Sequence, residues 1–102
     1  MEPQIGAKRE QIAELCRRHQ VRRLALFGSA LGEEFDPERS DLDFLVEFEP
    51  LPPGTYANTY FGLLDALQRL FGRPVDLVVD SAIRNPYFRQ SVERSQALLY
   101  AA

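Results

Sequence analysis

Apolar residues recur at helical spacing in three stretches of the chain. They predict an amphipathic helix over roughly residues 4–19, a second helix that ends at Phe71 with Gly72 as its C-cap and Pro74 as a stop, and a last helix from about Pro86. The positions that define these helices are, in chain order, Ile5, Ile12, Leu15, Cys16 and His19; Tyr60, Leu63, Leu64, Leu67, Leu70 and Phe71; and Phe88, Val92 and Leu99.

Three other stretches have the pattern of strands. Residues 24–27 form a short apolar run that Gly28 ends, residues 41–48 alternate in polarity, and residues 75–79 form a third apolar run. The predicted order is therefore α-β-β-α-β-α, an α/β (α+β) fold with a small mixed β-sheet flanked by helices. The sheet is expected to be mixed because no crossover helix separates the first two strands.

Length and composition indicate one soluble domain over residues 1–102. With 45% hydrophobic and 26% charged residues, the chain can bury a single modest core. The net charge of −3 argues against direct nucleic-acid binding, which usually needs a basic excess. The chain has a single cysteine, no signal peptide and no apolar run long enough to span a bilayer. These features predict a cytoplasmic protein without membrane contact.

Two aspartates at the head of the second predicted strand are the first candidates for chemistry. Asp41 and Asp43 are two residues apart, so their carboxylates share one face of the strand. Such a crowded pair of hard oxygen ligands suits Mg²⁺, which also binds water and substrate phosphates. Gly28 and Ser29 follow the preceding strand, where backbone N–H groups and a small hydroxyl can hold a phosphate.

A third acid, Asp76, lies one residue into the third predicted strand, in the apolar run VDLVV. Each feature has a structural alternative: Gly-Ser is a common turn, Asp41 can cap a turn, Asp43 can face solvent, and Asp76 can be a buried acid satisfied by nearby donors. Their conjunction at the ends of successive strands favours phosphoryl or nucleotidyl transfer. In that chemistry metal ions clamp the attacking and leaving oxygens, and an acid takes the proton of the attacking hydroxyl.

These residues resemble the signature of the DNA-polymerase-beta-like nucleotidyltransferase superfamily, which is Gly-Ser, a spacer, Asp-x-Asp and a later third acid. Within it, the chain is most similar to the minimal nucleotidyltransferases (MNT proteins), which consist of this domain alone. The resemblance implies Mg²⁺ as cofactor and ATP as substrate. The residues it implies for catalysis and metal binding are Asp41, Asp43 and Asp76, and those it implies for nucleotide binding are Gly28, Ser29 and Ser40.

The same resemblance implies a protein partner. MNT proteins are typically encoded beside a HEPN-domain ribonuclease toxin, which they neutralise by transferring AMP from ATP to a toxin tyrosine, so a hetero-oligomer with the toxin is expected. One alternative is an antitoxin that only binds and masks the toxin, and another is a nucleotidyltransferase for small molecules, which usually carries a second domain for the acceptor. The presence of Gly-Ser and all three acids favours the enzyme, because a vestigial site is free to lose them.

Overall fold

The computed structural model describes residues 3–27 and 42–102. The helices in these residues are α1 (Pro3–Ala7), α2 (Arg9–Arg18), α3 (Tyr56–Phe71) and α4 (Pro86–Ser95). The strands are β1 (Val21–Phe27), β2 (Leu42–Phe48), β3 (Val75–Val79) and β4 (Ala97–Ala101), and a short 3₁₀ helix, Asp80–Ala82, follows β3. None of the helices in the described ranges is both long and apolar enough to cross a membrane.

The four strands form one sheet in the order β3-β2-β1-β4. β1 is antiparallel to both β2 and β4, whereas β2 and β3 are parallel. A parallel pair needs a crossover connection, and α3 lies in the chain between β2 and β3. The sheet is therefore mixed and flanked by helices, as the sequence predicted.

One face of the sheet packs against α2, which precedes β1, and against α3, which connects β2 to β3. Alternate strand residues such as Leu24, Phe44 and Leu77 are buried there with Ile12 of α2 and Leu63 of α3. Each fully buried side chain of this kind contributes about 1.5–3 kcal/mol relative to an exposed one. This face therefore forms the main hydrophobic core.

The opposite face carries a smaller apolar cluster, which α4 covers. Asp43 and Asp76 belong to this second face, because they alternate with the main-core residues of β2 and β3. The candidate chemistry is thus on the face with less apolar cover. The buried residues of the smaller cluster are Ala25, Phe27, Leu45 and Val92.

The first predicted helix is two helices, so the prediction of one continuous helix over residues 4–19 was wrong. α1 and α2 are separated at Lys8, whose φ of −104° and ψ of 16° interrupt the helical backbone. The Lys8 ammonium donates a hydrogen bond of 3.2 Å to the carbonyl oxygen of Leu70, near the end of α3. A contact between such distant residues leaves no trace in the local periodicity.

The last predicted helix is also shorter than its pattern indicated, because α4 ends at Ser95. Leu99 lies on β4 and not on the inner face of a helix. β4 pairs with β1, with Leu26 opposite Ala97, and so satisfies backbone groups that would otherwise remain unpaired at that edge. The prediction missed this strand because a run of alanine and leucine also favours a helix.

Two helix ends agree with the sequence. Gly72 ends α3 with a φ of 65°, in the left-handed region, and donates its N–H to the carbonyl oxygen of Gln68 at 2.8 Å. His19 ends α2, and its Nδ1 lies 2.8 Å from the carbonyl oxygen of Leu15. The single histidine is therefore a partly buried C-cap of α2.

Candidate active site

Two of the predicted site acids lie opposite each other on neighbouring strands. In the parallel pair formed by β2 and β3, Asp43 is in register with Asp76. Residues in register share a face of the sheet, and neighbouring strands are about 4.8 Å apart. The fold therefore brings together two acids that are distant in the sequence.

Asp76 is exposed to solvent, while Asp43 is half-buried. β3 is an edge strand, and the apolar cluster under α4 does not extend over Asp76. The structural alternative of a buried acid at this position was therefore wrong. In residues 3–27 and 42–102, no hydrogen bond or ion pair engages the Asp76 carboxylate, so an approaching ligand can use it.

The other predicted site residues, Gly28, Ser29, Ser40 and Asp41, lie outside the described residues. The strand ends that they adjoin in sequence are described. β1 ends at Phe27, directly opposite Asp43 in the antiparallel pair, and β2 begins at Leu42. The segment that carries the remaining candidates thus leaves and rejoins the sheet at the end where the two acids lie.

The charge of Asp76 acts on Tyr60 of α3. Burial is the largest cause that raises the pKa of Tyr60, and the charges of Asp76 and then Tyr56 raise it further. The Tyr60 hydroxyl donates a hydrogen bond to the carbonyl oxygen of Leu77, the residue after Asp76. Because the raised pKa and this hydrogen bond both keep the phenol protonated, Tyr60 is poorly suited to act as a base at neutral pH.

Arg89 fastens α4 to the segment that follows β3. Its guanidinium donates hydrogen bonds to the Asp80 carboxylate at 3.3 Å, to the Asp80 carbonyl oxygen at 2.8 Å and to the Ile83 carbonyl oxygen at 3.3 Å. The adjacent Phe88 ring meets the Phe27 ring edge to face, with the ring centroids 6.1 Å apart. The sequence gives no sign of this role, because a contact across nine residues follows no helical or strand period.

The acid pair fits a hard divalent cation such as Mg²⁺, which prefers carboxylate, phosphate and water oxygens. Asp43 and Asp76 offer two carboxylates on one face of the sheet. Among the described residues, no group of three or more His, Cys, Asp or Glu side chains is placed to hold a metal ion. A complete site would therefore need further donors, such as nucleotide phosphates or Asp41.

A cavity of about 480 Å³ lies at the opposite end of β2 and β3. Its lining includes Glu47, Val79 and Asp80. Glu47 is four residues beyond Asp43, which corresponds to about 13 Å along a strand. The acid pair is therefore separate from this cavity.

A family model matches most of the chain: the nucleotidyltransferase domain, over residues 8–99. A candidate protein adenylyltransferase of Methanocaldococcus jannaschii is 43% identical over 79 residues, which cover 78% of this chain and 76% of the relative. The protein adenylyltransferase MntA of Thermococcus cleftensis is 38% identical over 72 residues, which cover 71% of this chain and 69% of the relative.

Solved structures share the fold. The structure of a candidate minimal nucleotidyltransferase is 37% identical in sequence, has a TM-score of 0.73 and covers 90% of this chain and 89% of its own. A chain from the complex of a tri-AMPylated Shewanella oneidensis HEPN toxin with an MNT antitoxin is 20% identical, has a TM-score of 0.65 and covers 96% of this chain and 73% of its own. At that identity, the second similarity is one of fold alone.

Proposed function

The chain belongs to the nucleotidyltransferase domain family, and we propose that it transfers AMP from ATP to a tyrosine of a HEPN-domain ribonuclease toxin, as the antitoxin of that toxin. The observation that carries the proposal is the register of Asp43 with Asp76 at the end of the sheet where β1 stops. Nucleotidyl transfer needs acids gathered at one point, to bind a divalent cation and to accept a proton.

Each acid has a role in this proposal. Asp41 and Asp43 hold Mg²⁺ together with Asp76, and Asp76 also accepts the proton of the attacking hydroxyl at a carboxylate oxygen. The exposure of Asp76 supports the second role, because an incoming hydroxyl has to reach the group that deprotonates it. When bound, Mg²⁺ offsets the negative charge of the triphosphate and of the departing pyrophosphate.

The nucleotide is assigned to the segment between β1 and β2. Gly28 and Ser29 hold its phosphates through backbone N–H groups and the serine hydroxyl, and Ser40 makes a further polar contact. Phe27 supports this assignment, because it ends β1 beside Asp43 and is fixed by Phe88. A phosphate held immediately after Phe27 would lie near the acids that act on it.

The acceptor is assigned by similarity to relatives. Two relatives of this chain are named as protein adenylyltransferases, one of them as a candidate, and the AMPylated protein in the Shewanella complex is a HEPN toxin. The second face of the sheet suits a protein acceptor, since α4 covers Phe27 and Leu45 but leaves Asp76 exposed. A tyrosine carried by another protein can therefore approach it.

The proposal is tested by mixing the chain with ATP, Mg²⁺ and the HEPN-domain protein encoded beside its gene. Intact-mass spectrometry and peptide mapping then locate any added AMP, and ribonuclease activity is measured on the same sample. We expect AMP on a tyrosine of the HEPN protein and a loss of ribonuclease activity that requires ATP. Omitting Mg²⁺ should prevent both.

Two outcomes would contradict the proposal. Loss of ribonuclease activity without ATP and without added AMP would identify an antitoxin that acts by binding alone. An unmodified HEPN protein, combined with consumption of ATP in the presence of a small hydroxyl compound, would identify a nucleotidyltransferase for small molecules.

A further inference from the structure

The four tyrosines of the chain differ in how accessible their hydroxyl groups are. Tyr56 and Tyr60 stack with ring centroids 6.5 Å apart, and the Tyr60 hydroxyl is hydrogen-bonded to a backbone carbonyl. Tyr100 lies on β4 and packs against the main core. Tyr87 is 81% exposed, compared with 48% for Tyr56, so it is the tyrosine best presented to another molecule.

Tyr87 lies in the first turn of α4, the helix that covers the second face of the sheet. Its neighbour Phe88 contacts Phe27, and Phe27 is directly opposite Asp43 in the sheet. Val92, one turn further along α4, is buried in the smaller apolar cluster. α4 therefore crosses the second face from the segment that follows β3 to the start of β4, where Ala97 pairs with Leu26, and Tyr87 lies in the helix end that is remote from β4.

The start of α4 is held firmly. The Asn85 side chain accepts hydrogen bonds from the N–H of Tyr87 at 2.9 Å and from the N–H of Phe88 at 3.3 Å. Arg89 ties the next turn to Asp80 and Ile83. With its backbone fixed in this way and its side chain in solvent, Tyr87 points away from its own sheet and is offered to a second molecule.

We propose that a second copy of this chain transfers AMP to Tyr87. This inference rests on the proposed adenylyltransferase function and deepens it by naming an acceptor within the chain. The phenolic oxygen of Tyr87 attacks the α-phosphorus of ATP held by the second copy. A phosphorus–oxygen bond to the tyrosine forms, the bond to the β-phosphate oxygen breaks, and pyrophosphate leaves. The phenolic proton passes to the second copy's Asp76 and then to solvent.

The test uses two variants of the full chain that differ in mass. The donor carries Tyr87→Phe and keeps its acids, whereas the acceptor carries Asp41→Asn and Asp43→Asn and keeps Tyr87. After incubation with ATP and Mg²⁺, we expect AMP on Tyr87 of the acceptor, none on the donor, and none on the acceptor incubated alone. An acceptor that also carries Tyr56→Phe should be labelled as before, and one that also carries Tyr87→Phe should not.

A second measurement does not depend on turnover. Nitration of the wild-type chain with tetranitromethane, without ATP, should modify Tyr87 before the other three tyrosines, as peptide mapping would reveal. Preferential nitration of Tyr60 or Tyr100 would overturn the accessibility on which the inference rests.

The outcomes separate this inference from the proposed function. If the HEPN protein is labelled and the acceptor chain is not, the inference is wrong and the proposed function stands. AMP on a tyrosine other than Tyr87, or AMP on a wild-type chain but not on the inactive acceptor, also overturns it. If neither protein is labelled, both proposals are wrong.

Discussion

The two acids that face each other across β2 and β3 are unfavourable for the fold alone. Like charges directly opposite each other on neighbouring strands destabilise a sheet, and Asp43 and Asp76 are in this arrangement. Other sequences could place a neutral residue at either position without changing the core, because both acids lie on the face opposite the main core. This arrangement supports the proposed divalent-cation site.

Asp76→Asn should lower the rate of AMP transfer about 10²–10⁴-fold, the usual effect of removing a general base. The affinity for ATP should change little, because Asp41, Asp43 and the Gly28-Ser29 segment remain. The melting temperature should not fall, since no described residue hydrogen-bonds to this carboxylate. Transfer rates, ATP titrations and thermal melts on one variant check all three expectations.

The matched control is Asp65→Asn. Asp65 is an exposed acid on α3 whose carboxylate lies 3.0 Å from Arg69, and its loss should leave the transfer rate unchanged. If Asp76→Asn instead cost about 1–3 kcal/mol of stability with normal activity per folded molecule, Asp76 would be a structural acid.

The same variant makes a spectroscopic prediction for Tyr60. Because the charge of Asp76 is one cause of the raised pKa of Tyr60, Asp76→Asn should lower that pKa. Burial is the larger cause and remains, so the pKa of Tyr60 should stay above the ordinary value of a tyrosine. NMR titration of the Tyr60 ring measures it, and an unchanged pKa would mean that the two side chains do not interact.

At the scale of secondary-structure elements, the sequence predicted the features that are determined by residues within the element itself. The alternation in β2 and the αL glycine that ends α3 are local signals, and both appear in the structure. The break at Lys8 and the strand β4 depend on partners far away in the sequence, Leu70 in one case and β1 in the other. Neither could be predicted from spacing.

The candidate site likewise combines features that the sequence predicted with features that it could not predict. The motif in the sequence identified Asp43 and Asp76, and the parallel pairing of their strands brings them together. No sequence motif indicated the role of Arg89 or the contact between Phe88 and Phe27. Packing that supports a site depends on shape rather than on residue type, so a single sequence carries little information about it.

Gly72→Ala should destabilise the protein by about 1–2 kcal/mol. Gly72 has a φ of 65° at the end of α3 and no neighbouring atom within 4 Å of an added Cβ, so the cost comes from the left-handed backbone and not from a clash. Chemical denaturation measures the free energy of unfolding.

Gly6→Ala is the control for that variant. Gly6 lies inside α1, also with no neighbour within 4 Å of an added Cβ, but without a positive φ. The substitution should therefore be neutral or stabilising, by up to about 1 kcal/mol. Equal changes in the free energy of unfolding for the two variants would show that the left-handed backbone at Gly72 does not cause the destabilisation.

At the scale of the whole molecule, the two faces of the sheet have different tasks. The face covered by α2 and α3 buries most of the apolar side chains, whereas the face partly covered by α4 leaves Asp76 exposed beside a small cluster. Substitutions on the second face can therefore alter activity while the main core, and with it the fold, is retained.

Cys16 lies in the main core and reports on its integrity. Burial raises the pKa of the Cys16 thiol to about 12, with a small opposing effect of the Arg17 charge. The pKa of the thiol in the unfolded chain is near its ordinary value of 9.0, so the free energy of unfolding should fall as the pH rises from 9 towards 12. The Cys16 contribution to this slope is at most about 1.4 kcal/mol per pH unit.

The variant Cys16→Ala isolates that contribution, because its other titrating groups are those of the wild type. Its free energy of unfolding should fall less steeply than that of the wild type above pH 9, as denaturation at several pH values can measure. Rapid reaction of the native thiol with a disulfide reagent at neutral pH would contradict the burial of Cys16.

In the proposed function, the acids at one end of the sheet support the transfer of AMP from ATP to a protein. The decisive measurement uses ATP that is labelled in its α-phosphate, together with Mg²⁺ and the HEPN-domain protein. The rate at which the label becomes attached to the HEPN-domain protein is compared between the wild type and the double variant Asp41→Asn and Asp43→Asn. We expect transfer by the wild type and none by the double variant, which thermal melts should show to be folded. Transfer by a folded double variant at the wild-type rate would contradict the proposed function.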